Sequence, residues 1–360
     1  MADSSSAPAF TSGTAPAPIT SSTNASSKDG QGLLTLLEVV DRCDSFPRSN
    51  PVPAKIGQLE LRYVDLRIGT EKIGQMHVSL LPFVKAYNGS QRPIFDIVED
   101  EKGMATSCTF MPWLDDCQSR SEAIAGMLNE WRKDETNFPC LKGWRDEKYG
   151  IFSAQTGDIA VAIERSACGL FGVHAYGVHI NGFVQKGTRP QDVDMWIARR
   201  SLTKPTYPGM LDNMVAGGLA YGHSPKYTVI KECMEEASIP KEIAETAYPT
   251  STITYIKLLK DGQTQPETQI IYDLELPVDY NPKPCDSEVA DFRRWTLDEC
   301  LVAIRQGLFK PNCACVQLDF MIRRGYLTPE NEPDYLELIT RLHRTIGLPI
   351  TKVWPTFQEK

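Results

Sequence analysis

Residues 217–239 read GGLAYGHSPKYTVIKECMEEASI, and the fold turns on how they are understood. The pair Gly217-Gly218 suits a tight turn or a close approach of backbone to another group. Ser224-Pro225 is a helix-start signal, with serine at the N-cap and proline at the first helical position. The spacing predicts a helix to Ala237 or Ser238, which Pro240 ends. On that helix Glu232, Glu235 and Glu236 stand three and four residues apart and share a face. Val229, Cys233 and Ala237 form another stripe, fit for a core. Clustered carboxylates raise each other's pKa unless a cation relieves the repulsion. A hard divalent ion such as Mg²⁺ or Mn²⁺ does so through oxygen ligands, and a carbonyl at the glycine pair can add one. Clustering alone favours a plainer reading, a solvated acidic face in a chain of net charge −8.

The full spacing reverses that preference. Gly217 is followed after five residues by His223. Seven residues later come Lys231, Glu232 and Cys233, then Glu235, Glu236, Ser238 and Ile239. This resembles the signature of Nudix hydrolases, which reads Gly, five residues, Glu, seven residues, Arg-Glu-apolar-any-Glu-Glu-any-Gly-apolar. The three metal-binding glutamates match. His223 and Lys231 stand where the family has a Glu–Arg pair bracing the loop onto the helix, and Ser238 replaces the last glycine. The flanks are similar too, through YPGMLDNMVAGG (207–218), over about 160–325. WIARRSLTKPTYPGMLDNMVAGGL (196–219) and FKPNCACVQLDFMIRRGYLTPEN (309–331) resemble one branch, a Nudix domain behind an N-terminal module. In some fungi that unit is fused to thiamine pyrophosphokinase. Stand-alone relatives are associated with hydrolysis of thiamine diphosphate and its oxidised forms. Little chain follows the box and no Walker-type phosphate loop is present, so a complete fused kinase is not expected.

The resemblance implies an α/β protein, a Nudix α/β/α sandwich with a mixed sheet, preceded by a smaller α+β domain. It implies Mg²⁺ or Mn²⁺ held by Gly217, Glu232, Glu235 and Glu236. A small-molecule diphosphate is the implied substrate: thiamine diphosphate or an oxidised analogue, with a nucleoside diphosphate derivative as alternative. A metabolite-binding module with a weakened box is the non-enzyme alternative. The base would be one of the three glutamates or an acid beyond the box; family members often place an acid before the strand read at DFRRW, which makes Glu288 the candidate for that further residue.

Reading outward, residues 1–30 are rich in Ser, Ala, Thr and Pro and are expected to be a disordered tail. Residues 31–155 form the expected α+β module, and 156–350 the Nudix domain. Helical spacing covers LLTLLEVVDRCDSF. SRSEAIAGMLNEWRKDE opens with a capping-box pattern from Ser119 to Glu122. LKGWRDEKYGIF reads as a partly exposed connector. FGVHAYGVHINGFV (171–184) suggests a bent strand, MWIARRS another, and STITYIKLL with TQIIYDLEL a hairpin turned at KDGQ. Helices are expected at 297–306, 311–324 and 333–346.

Arg199, Arg200 and Lys204 lie on or after a strand leading into the site, and one of them could grip a terminal phosphate. Strand alternation sends Arg199 and Arg200 to opposite faces. Gln269 could reach a ring edge. His174 and His179 read as packed strand residues, and Trp113 and Trp144 as core residues that could instead stack on a ring. The 360 residues, 41% of them hydrophobic, suffice for two medium domains. The acidic balance gives no general attraction to nucleic acid or anionic membranes, and no apolar run approaches a membrane span. The ten cysteines include no CxxC pair and read as reduced, buried thiols of a cytoplasmic protein without structural zinc. Oligomeric state stays open.

Overall fold

The computed structural model describes residues 32–351 and Trp354, so the tail expected at 1–30 lies outside the described residues. The helix read at its start is α1 (Leu36–Cys43). Thr35 caps it: its hydroxyl accepts from the Glu38 N–H at 3.2 Å, and Glu38 accepts in return from the Thr35 N–H at 2.8 Å.

The first body begins with the ribbon β1 (Lys55–Ile56) and β2 (Leu59–Glu60). Then come β3 (Tyr63–Ile68), β4 (Glu71–His77), α2 (Leu81–Ser90), β5 (Phe95–Glu99) and β6 (Ala105–Phe110). These four strands form a sheet in the order β4-β3-β6-β5. α3 (Cys117–Trp131), the hairpin β7 (Lys148–Phe152) and β8 (Ile159–Glu164), and the short α4 (Cys168–Phe171) complete it. Leu66, Ile73, Met76, Ile124, Met127 and Phe171 are fully buried in its core.

The second body is built on one sheet. Its elements are β9 (Ala175–Gln185), β10 (Val193–Arg200), β11 (Leu211–Asp212), β12 (Val215–Gly218), α5 (Pro225–Ala237), α6 (Lys241–Ala244), β13 (Tyr248–Leu258), β14 (Thr264–Glu275), β15 (Val289–Thr296), α7 (Leu297–Arg305), α8 (Pro311–Arg323) and α9 (Tyr335–Leu342). The strand order is β11-β10-β9-β14-β13, with β12 paired to β9 and β15 to β10. β9 and β14 run parallel and the other pairs antiparallel, so the sheet is mixed. α5 covers one face, where Val229, Cys233 and Ala237 meet Val178, Ile180 and Leu274. α1, α7, α8 and α9 cover the other face over Phe183, Met195, Ile197 and Ile271. This is the expected α/β/α sandwich with a mixed sheet, behind a smaller α+β body.

Several local expectations change. The boundary at 155 cuts the β7–β8 hairpin, in which Gly150 pairs with Ala162. The first core continues through Val161, Ile163 and Leu170 to Ala175 because β8 is buried under α3. α1, counted in 31–155, instead lays Leu36, Val40 and Cys43 against α8 and α9. α3 is capped by Asp116, which accepts from the Ser119 N–H, so the helix starts before the Ser119–Glu122 pattern. The supposed connector at 141–152 holds a 3-10 turn and β7. The strand read from 171 starts at Ala175, because Gly172 ends α4 in the left-handed region.

Candidate active site

β12 delivers Gly217 to the sheet edge opposite α5. A Cβ at Gly217 would lie 2.5 Å from the Glu232 Cγ, so glycine is what lets strand and helix approach. The Ser224 hydroxyl caps α5 by accepting from the Tyr227 N–H at 3.2 Å. The helix closes at Ser238, whose φ of 53° and ψ of 33° are left-handed. That is the position where the family signature has glycine, and the strain falls on a residue with a Cβ. Ser238→Gly is expected to raise Tm by a degree or two, corresponding to about 0.5–1 kcal/mol, in a thermal melt of the metal-free protein. A lowered Tm would show that the serine makes a compensating bond.

The three box glutamates occupy different surroundings. Glu236 is buried and accepts from the Ala216 N–H at 3.1 Å. Burial, then the Glu232 charge, pushes its carboxyl well above the ordinary range. Glu232 is half-buried and raised in the same direction, by burial, against the pull of Lys231. Glu235 is exposed, and Lys231 Nζ donates to it at 2.6 Å while reaching Glu232 at 3.3 Å. Helical spacing put all three on one face, but only Glu232 and Glu236 turn toward the sheet.

Glu288 comes to the same place: one oxygen each of Glu236, Glu288 and Asp286 lie within 4.8 Å of one another. Burial works against the Glu288 charge, but its ion pair with Lys204 outweighs this and holds the carboxyl below the usual range. Lys204 is therefore a partner of Glu288 here. Arg200 Nη1 donates to Asp212 at 2.8 Å and its guanidinium also donates to the carbonyls of Thr206 and Tyr207. Arg199 donates to Asp291 at 2.7 Å on the opposite face of the strand. Both arginines thus have carboxylate partners. Arg200 shares with Glu236 and Glu288 a small cleft beside Asp212.

The donor set can be tested for fit to a divalent ion. Glu236 is a buried carboxylate with one N–H partner, and two further carboxylates stand within ligand reach of it. Gly217 offers a carbonyl on the adjoining strand. An all-oxygen, net-negative set of this kind fits a hard cation. A second cluster of His179, Asp212 and Cys313 is fully buried and was invisible to Cys/His spacing. Its charge is already balanced. Burial raises the Asp212 pKa, but Lys310 and Arg200 outweigh it and hold the carboxyl down at about 2. The His179 Nδ1 is bonded to Asn213 at 2.7 Å, and burial pulls the ring's pKa down to about 4. His174 is likewise a packed, neutral ring, bonded to Thr268 at 2.8 Å.

The family's Glu–Arg brace is altered: among the described residues His223 and Lys231 do not form it, and contacts to the first body hold the loop. His223 packs edge-on against Tyr227, 4.7 Å between centroids, and does not pair with Lys231. The loop is instead tied to the first body. The Tyr221 N–H donates to the Lys148 carbonyl of β7 at 2.7 Å. A Cβ at Gly218 would fall 1.9 Å from the Tyr149 Oη and 3.2 Å from the Arg165 Cζ. Arg165 is held by Glu147 at 2.9 Å.

Beside Gly217 a cavity of about 460 Å³ opens between the two bodies. The first body contributes Arg145, Tyr149 and Arg165, the sheet Tyr176, Tyr255 and Gln269. Lys257 and Lys310 add positive charge. Trp113 and Trp144 do not line it; they stack under Arg92 and Arg132. Of the residues named from the sequence, His179, Gly217, Gly218 and Gln269 line this cavity, while Arg200, Glu236 and Glu288 line the cleft next to it. That Tyr149, Arg145, Arg165 and Lys310 line the cavity had no local sequence signal.

Comparison with known proteins fits this architecture. A family model described as a domain of unknown function, DUF4743, matches residues 42–175, and one for the NUDIX domain matches residues 177–312. Nudix hydrolase 24, chloroplastic, of Arabidopsis thaliana is 32% identical over 316 residues, covering 88% of this chain and 79% of that protein. The chain belongs to the Nudix hydrolase family, enzymes that act on pyrophosphate bonds. An uncharacterized protein of Saccharomyces cerevisiae is 44% identical over 226 residues, which span 60% of this chain and 65% of that one. Nudix hydrolase 20, chloroplastic, of Arabidopsis thaliana is 38% identical over 203 residues, 56% of this chain and 53% of its own length. Among the described residues no helix is long and apolar enough to cross a membrane.

Proposed function

We propose that this protein is a divalent-metal-dependent pyrophosphohydrolase acting on thiamine diphosphate or its oxidised analogues, releasing the monophosphate and phosphate. The carrying observation is the cavity beside Gly217, which combines cationic side chains with tyrosine rings next to a cluster of carboxylates. Glu232, Glu236 and the Gly217 carbonyl would hold Mg²⁺ or Mn²⁺, with Glu288 completing the set and Glu235 at its solvent side. When bound, the ion would supply charge neutralisation at the phosphate oxygens and make the attacking water easier to deprotonate. The residues do the rest. Arg145, Arg165 and Lys310 receive phosphate oxygens. Tyr149, Tyr176 and Tyr255 pack on the organic group. Water attacks the terminal phosphorus, the bridging P–O bond breaks toward the organic monophosphate, and the water's proton passes to a carboxylate. Glu288, kept ionised by Lys204, suits that acceptor role.

A nucleoside diphosphate derivative is the second reading, since the box handles phosphate and the same tyrosines would stack on a base. Assays of the purified protein with Mg²⁺ or Mn²⁺ across thiamine and nucleoside diphosphates separate the two by product analysis. Thiamine monophosphate and phosphate are the expected products, lost on chelation. If neither Glu235→Gln nor Glu236→Gln changed turnover, the metal-site assignment would be wrong.

A further inference from the structure

The floor of the cavity differs chemically from its rim. Tyr255 on β13 pairs with Glu267 on β14, and Gln269 lies two residues further along the same face. Gln269 Nε2 donates to Tyr255 Oη at 2.8 Å and to Glu267 Oε2 at 2.8 Å. Asn312 Nδ2 donates to the same hydroxyl at 3.1 Å and to His179 Nε2 at 3.4 Å. The Tyr255 hydroxyl in turn donates to Glu267 Oε2. Every N–H and O–H of this network is consumed within it. What remains is a pair of acceptors, Glu267 Oε1 and Gln269 Oε1, neither with a donor among the described residues. The amide fits flat across β9 only because Gly177 lies beneath it: a Cβ there would come within 2.2 Å of Gln269 Oε1.

The rim carries the opposite charge. Arg42, Arg145, Arg165, Lys257 and Lys310 line the cavity, and among the described residues Glu267 is its one lining carboxylate. A phosphate would be repelled by Glu267 and drawn to the cations, so the two ends of a ligand are told apart. Acceptors without donors in a recessed floor ask for a ligand that brings N–H groups or positive charge.

We propose that Glu267 and Gln269 form the subsite that reads the organic end of the substrate, accepting from the N–H edge of an amino-substituted or cationic nitrogen heteroaromatic ring. The diphosphate is then left to the cationic side chains. This rests on the reading of the site as a diphosphate hydrolase. It makes Glu267 a specificity residue of a kind the Nudix signature does not contain. Sites built to hydrogen-bond a substrate N–H discriminate strongly against analogues lacking it, because their own polar groups are left unpaired.

The test compares wild type with Glu267→Gln on two probes, thiamine diphosphate and butyl diphosphate, which has no ring. For the variant, KM for thiamine diphosphate rises at least about tenfold with kcat within threefold, while KM for butyl diphosphate does not rise, and falls if the lost charge had repelled the phosphate. Glu267→Asp, which keeps the charge, falls between. Thermal melts exclude misfolding. A thiamine diphosphate KM within twofold of wild type, or an equal rise for both probes, overturns the proposal. If wild type spares thiamine diphosphate but hydrolyses ADP or GDP, the proposed substrate fails. The ring subsite is then judged by the same KM comparison on that nucleotide. Should none turn over, calorimetry with thiamine diphosphate decides: binding weakened at least about tenfold in Glu267→Gln supports the subsite. Binding that is unchanged, or undetectable in wild type, sinks it.

Discussion

Glu236→Gln is expected to cut kcat by at least about 10²–10³ while leaving the metal-free protein as stable as before, or more so. The two halves have one cause. Glu236 is buried, accepts one hydrogen bond from the Ala216 N–H, and lies near Glu232, Glu288 and Asp286. Without a cation, a charge there is desolvated and surrounded by like charges, which destabilises the fold. Glutamine keeps the shape, still accepts from Ala216, and offers N–H groups to the neighbouring carboxylates. With a cation present the sign reverses, because the variant has lost a ligand. Melts with and without Mg²⁺, run beside steady-state kinetics, read both effects. Wild type should gain stability from Mg²⁺ and the variant little. A variant that melts lower without metal yet retains turnover would mean that Glu236 is a structural carboxylate and that the ion is held elsewhere.

The helix and its glutamates were legible because they depend on short-range spacing. Ser224-Pro225 caps the helix, and Val229, Cys233 and Ala237 recur at the helical period. The KDGQ turn and the hairpin of β13 and β14 are local in the same way, with Gly262 in the left-handed region that the Asp-Gly pair anticipates. Which glutamate turns inward was not legible. Glu232 and Glu236 differ from Glu235 only through what α5 packs against and through Lys231, which is drawn to the exposed side. That Arg199, Arg200 and Lys204 each pair with a carboxylate was not legible for a related reason. Their partners Asp291, Asp212 and Glu288 come from other strands or loops, which no spacing rule connects. The cap of α3 shows how small such differences can be: Asp116 and Ser119 compete for the same turn, and the first of them wins.

Least legible was the first body's part in the site, and the second large effect tests it. Arg165→Ala is expected to lower kcat/KM about 10²-fold or more and to loosen the loop 219–223. Arg165 follows β8, lines the cavity, and is held by Glu147 against the ring of Tyr149 and the backbone of Gly218. Removing the guanidinium takes away a phosphate partner. It also leaves Glu147 without its cation, and Glu147 is one of the charges that raise the Glu232 pKa. Losing a charge-assisted hydrogen bond to a phosphate oxygen costs about 1.5–3 kcal/mol, enough for the stated loss. Within the loop the His223 N–H donates to the Ala220 carbonyl at 3.0 Å, but His223 and Lys231 do not pair, and the Tyr221 N–H is tied to Lys148 of the first body. Amide exchange separates the two roles. Faster exchange at Tyr221 together with a lower kcat marks the first body as the brace of the catalytic loop. A raised KM with exchange unchanged restricts Arg165 to gripping phosphate, and Arg165→Lys should then restore much of the loss. Kinetics and exchange both matching wild type would reduce the first body to a cover over a site that the Nudix fold completes alone.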